Sequence, residues 1–336
     1  MPVELIDDPA RWDGFIDESA DGTLFHKWEF LRILEKYTGY QLFRYGVYRG
    51  EDLISVIPVF YTKSIGLKLI YSPPPTSSVN IPYLGFATSP LFGRLGGFER
   101  EECWSQIVKE FRDEVMKISP NYMTIGLVPG IRDVRPFLRN DCDADLMYTY
   151  IIDLKPPLIS IWEGIDRYCR KDIRAAAKYP LVMRRSYDAY KFVELMREGL
   201  KKLGGTFYDR QSPAYIEEIL RAFPDNVKLF FLYDGDALIG ANLVCGFKKR
   251  CIGWMGNTTT DNGFNANDYM LWEIIKAAKQ EGYESLENAG ADEKRLNFAK
   301  TKFNPDLVPC FNITKKDIIY KTAKYANRKL EKLVRF

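Results

Sequence analysis

The feature that most constrains this chain is a hairpin written twice. "LYDGDALIGANLVC" (232–245) and "VYRGEDLISVIPVF" (47–60) align without a gap, 185 positions apart. Tyr233 falls on Tyr48, Gly235 on Gly50, Leu238 on Leu53, Ile239 on Ile54 and Val244 on Val59. An acid follows each glycine, Asp236 and Glu51. Glycine at a hairpin turn supplies positive φ at little steric cost, and the flanking β-branched and aromatic residues suit strands. Such matches alone would fit many hairpins, so the surroundings decide. Upstream, "WEFLRILEKYTG" places Trp28, Leu31 and Leu34 at helical spacing, and "PAYIEEILRAFP" does the same with Tyr215, Ile219 and Phe223. A short strand follows each, "YQLFRYGVY" and "NVKLFFLY". Downstream, each copy has a loop, a helix with tryptophan near its start ("EREECWSQIVKEFRDEVMKI" and "NDYMLWEIIKAAKQEG") and a strand ("NYMTIGL" and "YESLENAG"). The same order of helix, strand, hairpin strands, loop, helix and strand, met twice, predicts a tandem duplication of one mixed α/β unit.

At 336 residues the chain has room for two such units, each with its own core. The seam is placed near "DLKPPLIS" (153–160), where two prolines interrupt the strand-like "YTYIIDL". Beyond it, "IWEGIDRYCRKDIRAAAKY" reads as one basic helix ended before Pro180, and "DAYKFVELMREGLKKLGG" as a second that stops at Gly204-Gly205. The last segment, "KKDIIYKTAKYANRKLEKLVRF", reads as a basic amphipathic helix. The expected division is residues 1–155, 156–312 and a C-terminal helix 313–336.

Composition narrows the chemistry. Six cysteines without CxxC spacing argue against a zinc ribbon or disulfide scaffold and fit buried thiols in a reducing compartment. A single histidine, His26, rules out a multi-histidine metal centre and is expected in a structural or substrate-facing role. No apolar run reaches the roughly 18 residues of a membrane span. The N-terminus is acidic without an apolar segment, so a cytoplasmic placement is expected. Residues 315–336 carry a net +6 out of a total of +3, which leaves the rest of the chain at −3. With the second basic run (167–185), these are local patches on a near-neutral body rather than the surface of a general nucleic-acid binder.

Four segments in this order resemble the FemAB-type, peptidyltransferase-like branch of the GNAT acyltransferase superfamily. "FHKWEFLRIL" is similar to the family's opening motif, and "IWEGIDRYCRKDIRAAAKYPLVM" to its Trp followed by an R/K-rich helix. "NANDYMLWEIIKAAKQEGYESLENAGAD" resembles its Leu-Trp helix with a strand and Gly beyond, and "RLNFAKTKFNP" its "L-x-x-F-K-x-x-F-G" ending, with Lys300 on the lysine and Phe303 on the second aromatic. The pattern is departed from at Ala299, Asn304 and Glu287-Asn288. The resemblance implies an α+β (mixed α/β) chain of two tandem GNAT-like domains, each a mostly antiparallel sheet flanked by helices. It also implies transfer of an acyl or aminoacyl group to an amine without metal or redox cofactor.

Such a reaction needs donor and acceptor in contact, a route for a proton and donors for an oxyanion. "TTTDNGFNAND" (258–268) precedes a helix start, where unpaired N–H groups suit an anion, and the resemblance implies that this loop meets the donor's pyrophosphate, which makes Asn262, Gly263, Phe264, Asn265 and Asn267 the cofactor-binding candidates. The alternative is a hairpin-to-helix loop capped by Asn265 or Asn267. Lys300 is a candidate cation for the oxyanion or donor carbonyl, against a solvated helix-face lysine. Glu287, Asp292, Tyr269 and Tyr208 are the acid–base candidates, Glu287 being otherwise an exposed strand residue. Arg167, Arg170, Lys171, Arg174 and Lys178 share a helix face suited to an anionic acceptor, or are merely solvated. Arg174, Lys178, His26 and Tyr208 stand as substrate-binding candidates. Trp254, Trp272 and Phe264 pack the core or wall the cleft.

The leading expectation is an N-acyltransferase whose second copy holds the donor and whose first helps bind the acceptor, because the long Pro/Ser loop 72–97 replaces the donor loop in the first copy. Acyl-CoA (acetyl-CoA) is the expected co-substrate and aminoacyl-tRNA the alternative, for which the basic helices offer a surface. The acceptor is an amine on a peptidoglycan, polysaccharide or lipid-linked sugar precursor. The other class is a non-catalytic duplicated protein whose C-terminal helix docks on nucleic acid or, peripherally, on an anionic membrane.

Overall fold

A computed structural model describes residues 1–76, 79–202, 212–258, 264–291 and 294–334. The chain forms two compact units. The first comprises Met1–Pro75, Tyr83–Leu146 and Cys310–Phe336; the second comprises Thr76–Pro82 and Met147–Pro309. The change of unit therefore falls inside two strands, β7 (Asp143–Asp153) and β13 (Asp306–Lys316), rather than at the proline seam.

In the first unit the sheet runs β1 (Val3–Leu5), β2 (Gln41–Arg49), β3 (Asp52–Ser64), β4 (Leu67–Ser72), β6 (Tyr122–Gly126), β13. The β2–β3 turn uses Gly50 at φ 65°, as the hairpin text requires. β4 and β6 run parallel, and the helix α4 (Gly97–Met116) crosses between them. Trp104, Ile107, Val108, Phe111 and Val115 recur at helical spacing along α4 and are buried against Tyr45, Val47, Ile57, Val59 and Ile70 of the sheet. A short strand β5 (Ala87–Thr88) pairs with β3.

The second unit repeats this order. α9 (Pro213–Ala222) leads into β9 (Val227–Asp234), β10 (Ala237–Phe247) and β11 (Arg250–Thr258); α10 (Ala266–Gln280) then leads into β12 (Ser285–Asn288). In the first unit the same series is α2 (Trp28–Thr38), β2, β3, β4, α4 and β6. The duplication read from the two hairpins is thus borne out strand by strand. β8 (Leu181–Ser186) extends the second sheet at one edge and β7 pairs with β12 at the other. Cys169, Ile173, Met270, Trp272, Ile274, Ile275 and Ala278 from two helices pack on Leu232, Ile239, Val244, Cys251 and Leu286.

Two helix boundaries differ from expectation. The basic helix is two, α6 (Leu158–Gly164) and α7 (Arg167–Ala176), because Asp166 ends one and caps the next: its Oδ1 accepts from the N–H groups of Tyr168 (2.8 Å) and Cys169 (3.1 Å). The C-terminal helix α12 starts at Ile318, since residues 312–316 are strand, paired with β6 from Asn312↔Gly126 to Lys316↔Tyr122. Asp317 caps it by accepting from Tyr320 N at 2.7 Å. α8 (Ala189–Lys202) agrees with its predicted start, and the Gly204-Gly205 stop lies outside the described residues. Among the described residues no helix is long and apolar enough to cross a membrane. All six cysteines are buried.

Candidate active site

The second unit contains a fork. β11 and β12 are hydrogen-bonded in parallel only from Arg250↔Ser285 to Gly253↔Asn288. β12 then ends, while β11 continues to Thr258 against β10. At the fork the β10–β11 register slips, Leu243 facing Met255 and Val244 facing Gly253, so Trp254 is an extra residue on β11. A bulge of this kind bends its strand and re-aims side chains. Trp254 is held by its indole N–H on Asn80 O and by an edge contact with Tyr215, centroids 6.4 Å apart. The divergence opens a cleft of about 240 Å³ between the strand ends, the start of α10 and α11 (Lys294–Thr301).

Among the described residues the cleft is lined by amides and small groups rather than acids: Asn242, Asn257, Asn267 and Asn288, with Gly253, Gly256, Ala241, Ala289, Ala299, Met270 and Lys300 among the rest. Two glycines make room for two of these asparagines. A Cβ on Gly256 would meet Asn242 Nδ2 at 2.4 Å, and one on Gly199 would meet Asn257 Nδ2 at 1.8 Å. Asn257 Nδ2 donates to Leu195 O at 3.3 Å. The buried Asn242 Oδ1 accepts no hydrogen bond from the described residues. A buried acceptor left open in a cleft calls for an N–H or O–H from whatever occupies it.

The sequence candidates distribute as follows. Asn267 and Lys300 line the cleft. The Lys300 ammonium is engaged with three carbonyls at the end of β12: Asn288 O at 3.5 Å, Gly290 O at 2.6 Å and Ala289 O. An ammonium has three protons, so in this arrangement it fastens the strand exit. Asn265 caps α10, its side-chain oxygen accepting from Asp268 N at 3.1 Å, as the capping alternative supposed. Phe264 packs on Tyr179, centroids 4.5 Å apart. Glu287 is buried, accepts from Thr149 Oγ1 at 2.8 Å and is not among the cleft-lining residues. Tyr269 is half-buried, and burial together with the nearby Glu273 raises its pKa, which weakens it as a base at neutral pH. Arg174 lies over the Trp162 ring at 5.4 Å, and Lys178 is exposed. Asn262, Gly263, Tyr208 and Asp292 lie outside the described residues.

His26 belongs to the first unit and is wholly buried. Thr23 N donates to its Nδ1 at 3.3 Å, which leaves Nε2 as the donor to Gly85 O at 3.3 Å. This satisfied imidazole is the structural one of the two roles expected for it.

Sequence reading passed over Asn242, Asn257 and the pair Asp268–Lys302. Asp268 is fully buried in the first turn of α10 and its Oδ2 lies 3.0 Å from Lys302 Nζ. Burial works against the Lys302 ammonium, but the Asp268 carboxylate outweighs it and raises its pKa. The signal for Asn242 was present: asparagine is disfavoured in strand interiors, yet it interrupts the apolar run "LIGANLVC".

The first unit has the matching parallel pair, β4 and β6, from Leu69↔Tyr122 to Ser72↔Ile125. There the fork is filled by the chain itself. Leu84 N donates to Gly126 O at 3.0 Å, and Gly85 N to Ser72 Oγ at 3.0 Å, whose own proton goes to Pro58 O at 2.6 Å. Gly85 sits at φ 64°, and a Cβ there would meet Gly126 O at 2.9 Å, so only glycine fits this insert without strain.

The comparisons with known proteins bear on the fold. Residues 164–295 match the family model described as an acetyltransferase (GNAT) domain. The chain is similar in structure to FemX, with a TM-score of 0.70 at 13% identity over 93% of this chain and 97% of that one. It is also similar to the C-terminal domain of a putative lysylphosphatidylglycerol synthetase from Agrobacterium fabrum (TM-score 0.55, 11% identity, 95% of each chain). A tandem GNAT protein from the clavulanic acid biosynthesis pathway matches with a TM-score of 0.52 and 13% identity over 94% of this chain and 98% of that one. No curated protein sequence matches. Residues 164–295 thus match an acetyltransferase (GNAT) domain model, in a chain whose duplicated fold is similar to that of FemX and of a tandem GNAT protein.

Proposed function

We propose that the protein is an N-acyltransferase that binds its donor in the fork of the second unit and transfers the acyl group to an amine of a cell-envelope, sugar or peptide precursor. The observation that carries this reading is the contrast between the two forks: the second is open and holds an unfilled acceptor, Asn242 Oδ1, while the first is filled by Leu84 and Gly85. An acyl-CoA suits the cleft because its arm carries amide N–H groups that a wall of asparagines can bind. The neutral amine attacks the thioester carbonyl, forming the C–N bond; the C–S bond breaks and the sulfur leaves as thiolate. The amine's surplus proton passes through water to the departing thiolate; among the described residues lining the cleft there is no carboxylate to take it directly. N–H groups of β11 beyond Gly253, which have no ladder partner on the β12 side, are the proposed donors to the oxyanion. We assign Lys300 and Glu287 positioning roles, the first fixing the exit of β12 and the second anchoring that strand through Thr149.

Calorimetric titration with CoA and acetyl-CoA tests the reading. Binding that Asn242→Ala weakens about tenfold is expected, from the loss of one ligand hydrogen bond in a buried site. No heat at about millimolar ligand, together with salt-sensitive binding of aminoacyl-tRNA, would transfer the donor role to the tRNA.

A further inference from the structure

The first unit has a pocket that the acyltransferase reading does not use. It measures about 390 Å³, within the usual range for small-molecule sites, and lies among the start of α4, the residues after β5 and the loop that follows β6. One wall is apolar: Trp104 and Phe92, ring centroids 6.1 Å apart, with Ile131 beside them. Trp104 is held in place by its indole N–H, which donates to Asp133 O at 2.8 Å. Gly130 turns the loop at φ 123°, a conformation reserved for glycine, and so brings Ile131 and Arg132 to the pocket.

The charged groups are unequal in their commitments. Arg135 is taken up by Asp133, with Nε to Oδ1 at 2.8 Å and Nη2 to Oδ2 at 2.9 Å, and by Glu101 at 3.0 Å. Asp21 already accepts the Thr88 hydroxyl at 2.5 Å. Arg100 and Arg132 also line the pocket, and neither guanidinium has a hydrogen bond or ion pair among the described residues. Arg100 is one turn from Trp104 on the same face of α4, so a guanidinium and an indole stand at one spot. Two uncommitted guanidinia facing an apolar aromatic wall ask for a ligand with a flat apolar part and a multiply charged oxyanion. Guanidinium matches phosphate oxygens in paired hydrogen bonds.

We propose that this pocket is a second ligand site, for a small organic phosphate bearing a planar ring, with Arg100 and Arg132 on the phosphate and the Trp104–Phe92 wall against the ring. It is independent of the fork in the second unit. Its test is titration of the full-length protein with ADP, GDP and UDP, and with inorganic pyrophosphate. At least one nucleotide is expected to bind more tightly than pyrophosphate, to lose about tenfold in affinity in Arg100→Ala and again in Arg132→Ala, and to be unaffected by Asn242→Ala. Both arginines are exposed, so circular dichroism should show these variants folded. The proposal is overturned if no nucleotide binds at about millimolar concentration, if both arginine variants bind as the parent does, or if pyrophosphate alone binds equally well.

Discussion

Asp268 and Lys302 show how much one residue pair can carry. The carboxylate is fully buried at the head of α10, and Lys302, largely covered, is its partner at 3.0 Å. Removing one member of such a pair leaves the other charge uncompensated, so Asp268→Ala should cost about 3 kcal/mol, read as a fall in the urea midpoint. The Lys302 pKa is raised in the folded state. Its contribution to stability is therefore complete below the ordinary lysine value and lost as pH climbs through the raised one. The parent should lose stability in that alkaline window, and Lys302→Met should not show that component. Lys300 predicts differently. Exchanging it for methionine leaves the carbonyls of Asn288, Ala289 and Gly290 without their ammonium. A loss of about 2 kcal/mol with weaker acetyl-CoA binding is expected, measured by denaturation and calorimetry on the same sample.

At the scale of elements, the two forks are one design used in two ways. In the first unit the insert depends on Gly85, whose positive φ and contact with Gly126 O admit no side chain. Gly85→Ala should destabilise the protein by about 2 kcal/mol, whereas Gly39→Ala, also at positive φ but with open space around it, should cost less. Thermal melts of the two variants side by side make the comparison. The strands, their order and the helices between them were legible because apolar periodicity and turn glycines are local signals. The "WEGIDRYC" stretch (162–169) hid a helix break, because Asp166 reads as one more helix residue until its carboxylate is seen capping. The fork was not legible. Whether two parallel strands stay paired depends on a one-residue bulge at Trp254 and on what fills the gap, and neither leaves a periodic trace. For the same reason His26 could be narrowed to two roles but not decided, since its partner Gly85 lies 59 residues away.

At the scale of the whole molecule, the units are compact in space but not in sequence. The first needs residues 310–316 to complete its sheet beside β6, and the second takes in residues 76–82. A chain cut after Leu146 should therefore fail to fold: without β13, the edge of β6 has no partner and is open to intermolecular pairing. Light scattering and circular dichroism of the 1–146 fragment would reveal aggregation, and recovery of a native-like spectrum by that fragment alone would contradict the assignment of β13.

The burial of every thiol gives the molecule two built-in clocks. Cys103, Cys142 and Cys310 belong to one unit, and Cys169, Cys245 and Cys251 to the other. Burial holds Cys251 up at about 12 and raises Cys103, Cys142, Cys169 and Cys245 as well, so little thiolate exists at neutral pH until the surrounding core opens. The alkylation rate of each trio, followed peptide by peptide, therefore times the opening of its own unit.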